Sequence, residues 1–188
     1  MAIEQEVKLA FSSLEAARHA VSTAGGRLLV SRRLLSDRLF DTDDARLRQQ
    51  GATLRIRRDG PQGIVTWKGP HRPGLVKSRE ELETTVGDAS ILEAALVALG
   101  YQHSFSSEKY REEFDVAGAH TMIDDTPAGV FIEIEAAPDD IARVSVLLGK
   151  TPLDYRLESY PTLWRAWCRE HGQPPSDMLF SYTTPAAP

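Results

Sequence analysis

Asparagine does not occur in this chain, and cysteine occurs once, at Cys168. A lone thiol excludes an intramolecular disulfide and a cysteine-built zinc site, and makes a reducing cytosol the natural compartment. No run approaches the roughly 20 apolar residues of a membrane-spanning helix. The opening MAIEQEVKLAF has neither the basic start nor the long apolar stretch of a secretion signal. An excess of positive charge is missing too. The 22 Lys and Arg face 27 Asp and Glu, for a formal net charge of −5, which argues against a general nucleic-acid-binding surface but leaves room for a local basic cavity. The five His are scattered and form no HxxxH pair, so His103 and His120 read as surface or sheet residues rather than metal ligands. These absences leave a soluble, cytoplasmic protein with no membrane or nucleic-acid partner. Its 188 residues suffice for one domain with a sizeable core.

What is present is alternation. AIEQEVKLAF reads as a strand, and Ser12–Ser13 offers an N-cap for LEAARHAVSTAGG, an amphipathic helix closed by Gly25–Gly26. RLLVSRRLLSDRLFDT predicts a long strand ending at Asp41, and DDARLRQQG a short helix stopped at Gly51. ATLRIRRDG and GIVTWKGP form a hairpin around DGPQG. After the loop GPHRPG come the strand VKSREELETTV and the helix ASILEAALVALG, capped by Asp88. SSEKYREEFDV, HTMIDDT and GVFIEIEAA predict three further strands, and PDDIARVSVLLGK and SYPTLWRAWCREHG two helices. The tail QPPSDMLFSYTTPAAP reads as irregular. Strand connections too short for parallel crossovers predict an α+β chain, its antiparallel sheet able to close into an eight-stranded barrel.

Successive strand side chains point to opposite faces. Glu4, Glu6 and Lys8 therefore share a face, opposite Ile3, Val7 and Leu9. The pattern recurs with Arg55 and Arg57, with Lys68, with Arg79, Glu81 and Glu83, with Lys109 and Arg111, and with Glu133 and Glu135. Any one pair is the wet face of a sheet by default. The repetition, with acidic strands at both ends of the chain and basic ones between, points instead to one charged interior. Such a cavity is costly unless filled. A polyanion on the Arg/Lys side and Mg²⁺ or Mn²⁺ on the carboxylate side would fill it.

In order along the chain, ExExK (Glu4, Glu6, Lys8), LRIRRDG, TWKGP, SREELE, EKYREEF, GVFIEIE and SYPTLW resemble the CYTH superfamily, the triphosphate tunnel metalloenzymes. The resemblance runs from about residue 3 to 165, which assigns 1–172 to a CYTH domain and 173–188 to an irregular tail. It implies a tunnel-forming eight-stranded antiparallel barrel with helices outside, and metal-dependent chemistry on a small-molecule triphosphate. By the same resemblance Glu4, Glu6, Glu133 and Glu135 hold Mg²⁺ or Mn²⁺. Asp124 joins them, with Asp125 next to it as the register alternative. Lys8, Arg55, Arg57, Lys68, Arg79, Lys109 and Arg111 grip phosphates, and Lys8 could instead bind the attacking water. Glu81 and Glu83 either add to the metal site or hold neighbouring Arg side chains.

The family contains triphosphatases, class IV adenylate cyclases and thiamine triphosphatases. A cyclase needs a pocket that reads adenine; the charge-dominated interior and the lack of Asn favour a small, charge-rich substrate such as inorganic tripolyphosphate. Thiamine triphosphate calls for an aromatic or acidic partner, and Trp67 faces away from Lys68. A non-catalytic polyphosphate- or nucleotide-binding module would not need the carboxylates. Tyr160 reads more simply as packing than as a substrate contact. Trp164 and Trp167 read as core or as an oligomer contact, and the helices over 88–99 and 159–171 could support a homodimer.

Overall fold

In the computed structural model, which describes residues 2–180, the chain forms strands β1 (Ala2–Phe11), β2 (Arg27–Thr42), β3 (Thr53–Asp59), β4 (Gln62–Lys68), β5 (Lys77–Val86), β6 (Tyr101–Val116), β7 (Ala119–Thr126), β8 (Gly129–Glu135) and β9 (Tyr155–Arg156). Between and after them lie helices α1 (Leu14–Thr23), α2 (Arg46–Gln49), α3 (Ala89–Ala98), α4 (Pro138–Leu147) and α5 (Tyr160–Glu170). The sheet runs β5-β4-β3-β2-β6-β7-β8-β1, and β1 returns to β5, so eight antiparallel strands close into a barrel. The two-residue β9 adds to β1 beyond the end of β5.

Parity sorts β1 and β8 most clearly into an inner charged face and an outer apolar one. Val7, Leu9, Ile123, Ile132 and Ile134 point outward, where Ala17 and Val21 of α1 and Ile141 and Val144 of α4 cover them. All are at most 1% exposed, and each large one contributes about 1.5–3 kcal/mol. On the other side, Phe40, Ile56 and Val65 are covered by Ala89, Leu92 and Leu96 of α3. The core therefore surrounds the barrel, which leaves its lumen to polar groups.

The helix starts follow the sequence. Ser13 accepts from the Ala16 N–H and Asp88 from those of Ser90 and Ile91, while Pro138 and Pro161 occupy first turns where no N–H is needed. The expected hairpin is present, with Gly60 at φ +57° after Asp59. Two features depart from the expectations. β6 starts at Tyr101 rather than near Ser106 and overhangs β7, which pairs with it only from Tyr110 on; the overhanging stretch is too polar to read as a strand. The expected strand end at Asp41 becomes an anchored corner. The Asp41 carboxylate accepts from the backbone N–H groups of Thr42, Leu47 and Arg48, which fixes the turn into α2 and the barrel rim it forms.

Asp41 is 9% exposed, so Asp41→Ala strands donors that water reaches poorly. A loss of about 2 kcal/mol in chemical denaturation is expected, with Asp41→Asn losing less because its carbonyl still accepts.

Candidate functional site

A cavity of about 370 Å³ occupies the barrel interior. Lys8, Arg57, Lys68, Lys77, Arg79, Lys109 and Arg111 are each at most 8% exposed, and so are Glu4, Glu6 and Glu133. They are brought together by register. Glu4 pairs across with Arg79, Glu6 with both Lys77 and Glu135, and Lys8 with Glu133.

Every deep carboxylate is held by cations. Glu4 takes Lys68 Nζ at 2.6 Å and Arg79 Nε at 3.1 Å. Glu6 takes Lys77 at 2.5 Å and Lys8 at 3.2 Å, and Lys8 also reaches Glu133 at 3.1 Å. Arg111 bridges Glu133 and Asp124. Asp124 is fully buried behind the wall, its oxygens receiving Lys109 at 2.7 Å, Arg111 at 2.6 Å and the Tyr160 hydroxyl at 2.6 Å. Asp125 points outward to Arg32 at 2.7 Å, which settles the register in favour of Asp124.

On the opposite wall Arg57 makes a two-pronged bond to Asp37, at 2.7 and 2.8 Å. Arg55 donates to Thr66 at 3.0 Å and to Glu83 at 3.4 Å, and its Nε is buried without a partner. Glu83 thus holds an Arg side chain. Glu81 shares Lys68 with Glu4. Glu135 differs from Glu133: its side chain is 45% exposed at one rim, 4.0 Å from His120.

The electrostatics follow from burial set against pairing. Burial works to raise Glu6, but Lys8 and Lys77 outweigh it and hold the group well below the usual carboxylate range. Asp37 is held low in the same way by Arg57 and Arg55. Burial and neighbouring cations, Lys8 for Lys77 and Arg111 for Lys109, bring these two ammoniums down to about 8. Burial raises Glu81 to about 7; Lys68 opposes this and Glu4 adds to it. Burial and the Glu4 charge also raise Glu135.

Glu4, Glu6, Glu133 and Glu135 offer the hard oxygen donors that a divalent ion prefers. The donor chemistry fits Mg²⁺ or Mn²⁺. Among the described residues, however, no three acidic or His groups converge as a ready ligand set; the carboxylates are turned onto Lys and Arg instead.

Several lining residues escaped the sequence reading. Lys77 shares parity with Arg79 and was legible in VKSREELE. Asp37 was hidden between Leu35 and Leu39 on β2. At one rim Arg33 joins Asp59 at 2.8 Å and Glu113 at 2.5 Å, and Glu113 joins His120 at 2.9 Å. His120 therefore lines the cavity rather than a plain sheet surface. Tyr160 is likewise a cavity residue, its ring 5.2 Å from Lys8 Nζ and 4.6 Å from Lys109 Nζ. The packing expected of Tyr160 is present too, its ring lying edge-on to Phe131 and against the Trp164 cluster.

Glu81 holds its proton to about pH 7 in the fold, against an ordinary 4.5. Between those values the folded chain binds more protons than the unfolded one, so stability falls as pH rises through the window. Without divalent ions, Glu81→Gln should match the parent in thermal denaturation near pH 4.5 and melt a few degrees higher above about pH 7. Identical pH slopes in the two proteins would contradict the assignment.

The CYTH domain model matches residues 2–159. A Methanocaldococcus jannaschii protein named "putative adenylate cyclase" is 27% identical over 140 residues, covering 74% of this chain and 79% of that one. Among solved structures, a protein of the same name from Vibrio parahaemolyticus superposes with a TM-score of 0.77 at 20% identity, over 87% of this chain and 98% of that one. A "putative adenylyl cyclase" from Hippeastrum, described as revealing a dominant triphosphatase activity, has a TM-score of 0.64 at 18% identity, over 91% and 97%. No helix among the described residues is long and apolar enough to cross a membrane. With the barrel, its charged interior and the family match over residues 2–159 in agreement, the chain belongs to the CYTH family.

Proposed function

We propose that this chain is a divalent-metal-dependent triphosphatase that hydrolyses a triphosphate, inorganic tripolyphosphate foremost, inside the barrel. The observation that carries the reading is the crowding of seven buried Lys and Arg side chains, Lys8, Arg57, Lys68, Lys77, Arg79, Lys109 and Arg111, around one cavity. Burial, and then the like charge of Lys8 and Arg111, leave Lys77 and Lys109 holding their protons only to about pH 8, and Arg55 Nε has no partner. A linear polyanion relieves both at once. It supplies acceptors to the guanidinium groups and makes full protonation of the two lysines favourable.

Glu4, Glu6, Glu133 and Glu135, with Asp124 behind them, are the residues that would hold Mg²⁺ or Mn²⁺. A bound divalent ion supplies charge neutralisation on phosphate oxygens and a more acidic water for attack on phosphorus. The chain's own part is positioning. Arg55, Arg57, Lys68, Arg79, Lys109 and Arg111 line the cavity from several strands and would hold the phosphates in line, and Lys8 bridges Glu6 and Glu133 in its wall. Wall residues packed from outside by helices do not relax when the anion changes shape, so the charges act at full strength in the transition state.

A second reading, adenylate cyclase, has one observation in its favour. A further cavity of about 340 Å³ shares Leu39, Thr53, Ser159 and Pro161 with the first and is also lined by Gln102, His103 and Phe105. Space for an organic group therefore adjoins the charged chamber.

Purified protein offered tripolyphosphate, ATP and thiamine triphosphate separately with Mg²⁺ or Mn²⁺ separates the readings. Orthophosphate from tripolyphosphate, with ATP used poorly, is expected; cyclic AMP and pyrophosphate from ATP would replace this reading with the second. Glu4→Gln and Glu133→Gln should each lower kcat at least about 100-fold with the fold intact by circular dichroism.

A further inference from the structure

β6 overhangs β7, so the backbone of residues 101–108 has no β7 partner. The segment after α5 fills part of that edge. The Met178 N–H donates to the Ser106 carbonyl at 3.0 Å, and the Glu108 N–H to the Met178 carbonyl at 2.9 Å, in a parallel bridge. The Asp177 carboxylate accepts from the Ser106 N–H at 2.7 Å, and the Glu108 carboxylate from the Phe180 N–H at 3.2 Å. The Phe180 ring lies 5.2 Å from that of Tyr110.

The same segment holds α5. Met178 is 1% exposed and packs with Trp164 and Cys168, the buried stripe of that helix. The Trp164 indole N–H donates to the Ser176 carbonyl at 2.8 Å. One turn earlier, Tyr160 opens the helix with its hydroxyl on Asp124 and its ring edge against Phe131, 5.8 Å between centroids. An 11-residue helix is not stable alone in water. Its first turn lies in the cavity wall while its later turns are fastened to residues 176–178. Asp124, which receives the Tyr160 hydroxyl, also receives Lys109.

We infer that residues 176–180 are a clasp that positions Tyr160 in the cavity wall and, through Asp124, sets Lys109 against the bound polyanion. Tyr160 and Met178 are thus positioning residues of the anion site, Met178 acting from outside the barrel. The inference rests on the triphosphatase reading for its kinetic readout only.

The test is a double-mutant cycle on the full-length chain with tripolyphosphate. Tyr160→Phe and Met178→Asp should each lower kcat/KM about tenfold, and the double variant should fall no more than about twofold below either one. A clasp that served stability alone would leave kcat/KM unchanged, and independent roles would multiply the losses; either result overturns the inference. Should Met178→Asp fail to fold, Trp164→Phe, which removes the bond to Ser176 together with part of the ring stacked on Trp167, should cost about threefold in the parent and nothing measurable in Tyr160→Phe. Hydrogen exchange supplies a readout free of catalysis. The amides of Thr162 and Leu163, both bonded to the Ser159 carbonyl, should exchange at least about tenfold faster in Met178→Asp. If the parent hydrolyses no triphosphate, the proposed function fails; unchanged exchange at those amides defeats the clasp separately.

Discussion

Charge taken out of water must be answered by charge, and this requirement governs the whole barrel. Its lumen holds side chains that would each cost several kcal/mol if buried alone. They are tolerated because strand register sets opposite signs beside each other: Glu4 against Arg79, Glu6 against Lys77, Lys8 against Glu133. The arrangement has no slack. Glu133 and Asp124 share Arg111, and Glu4 and Glu81 share Lys68. A one-residue slip of any strand would put charges into the outer core and Val or Ile into the lumen. The network that prepares the chamber for an anion is also the device that specifies the sheet.

The apolar side of the same strands explains why helices are needed. A barrel with a polar inside has no core of its own, so Ile123, Ile132 and Ile134 must be covered from outside by α1 and α4, and Ile56 and Val65 by α3. These helices hold the strands rigid without entering the chamber. Among the helices of the described residues, α5 alone reaches it, through Tyr160 and Pro161 of its first turn.

Much of this was legible from parity alone. Once β1 is read as a strand, Glu4, Glu6 and Lys8 must share a face, and the closed barrel makes that face the inside. Legibility stopped where parity competes with composition or where partners lie far apart in the chain. Asp37 sits among Leu residues, so its strand reads as apolar, and only the pairing of β2 with β3 brings Arg57 to it. Tyr160 follows a Ser and precedes a Pro, the ordinary start of a helix, and nothing local says that the helix opens onto Asp124, 36 positions earlier. Glu133 and Glu135 are alike in sequence, yet one is buried and the other sits half-exposed at a rim, because β8 ends there.

The closure of the barrel carries a consequence for its biosynthesis. β1 precedes in the chain both of its barrel neighbours, β5 and β8, and the short β9 that also adds to it. The ExExK segment therefore leaves the ribosome with neither flank available, and its second partner comes only once residues 130–135 have been synthesised. Contacts so distant in sequence make folding slow and leave an edge strand bare in the meantime. Glu4, Glu6 and Lys8 alternate along that waiting edge, and charges in that position discourage pairing with other chains. The residues that line the finished chamber are thus also the charges that discourage stray pairing of the unpartnered strand.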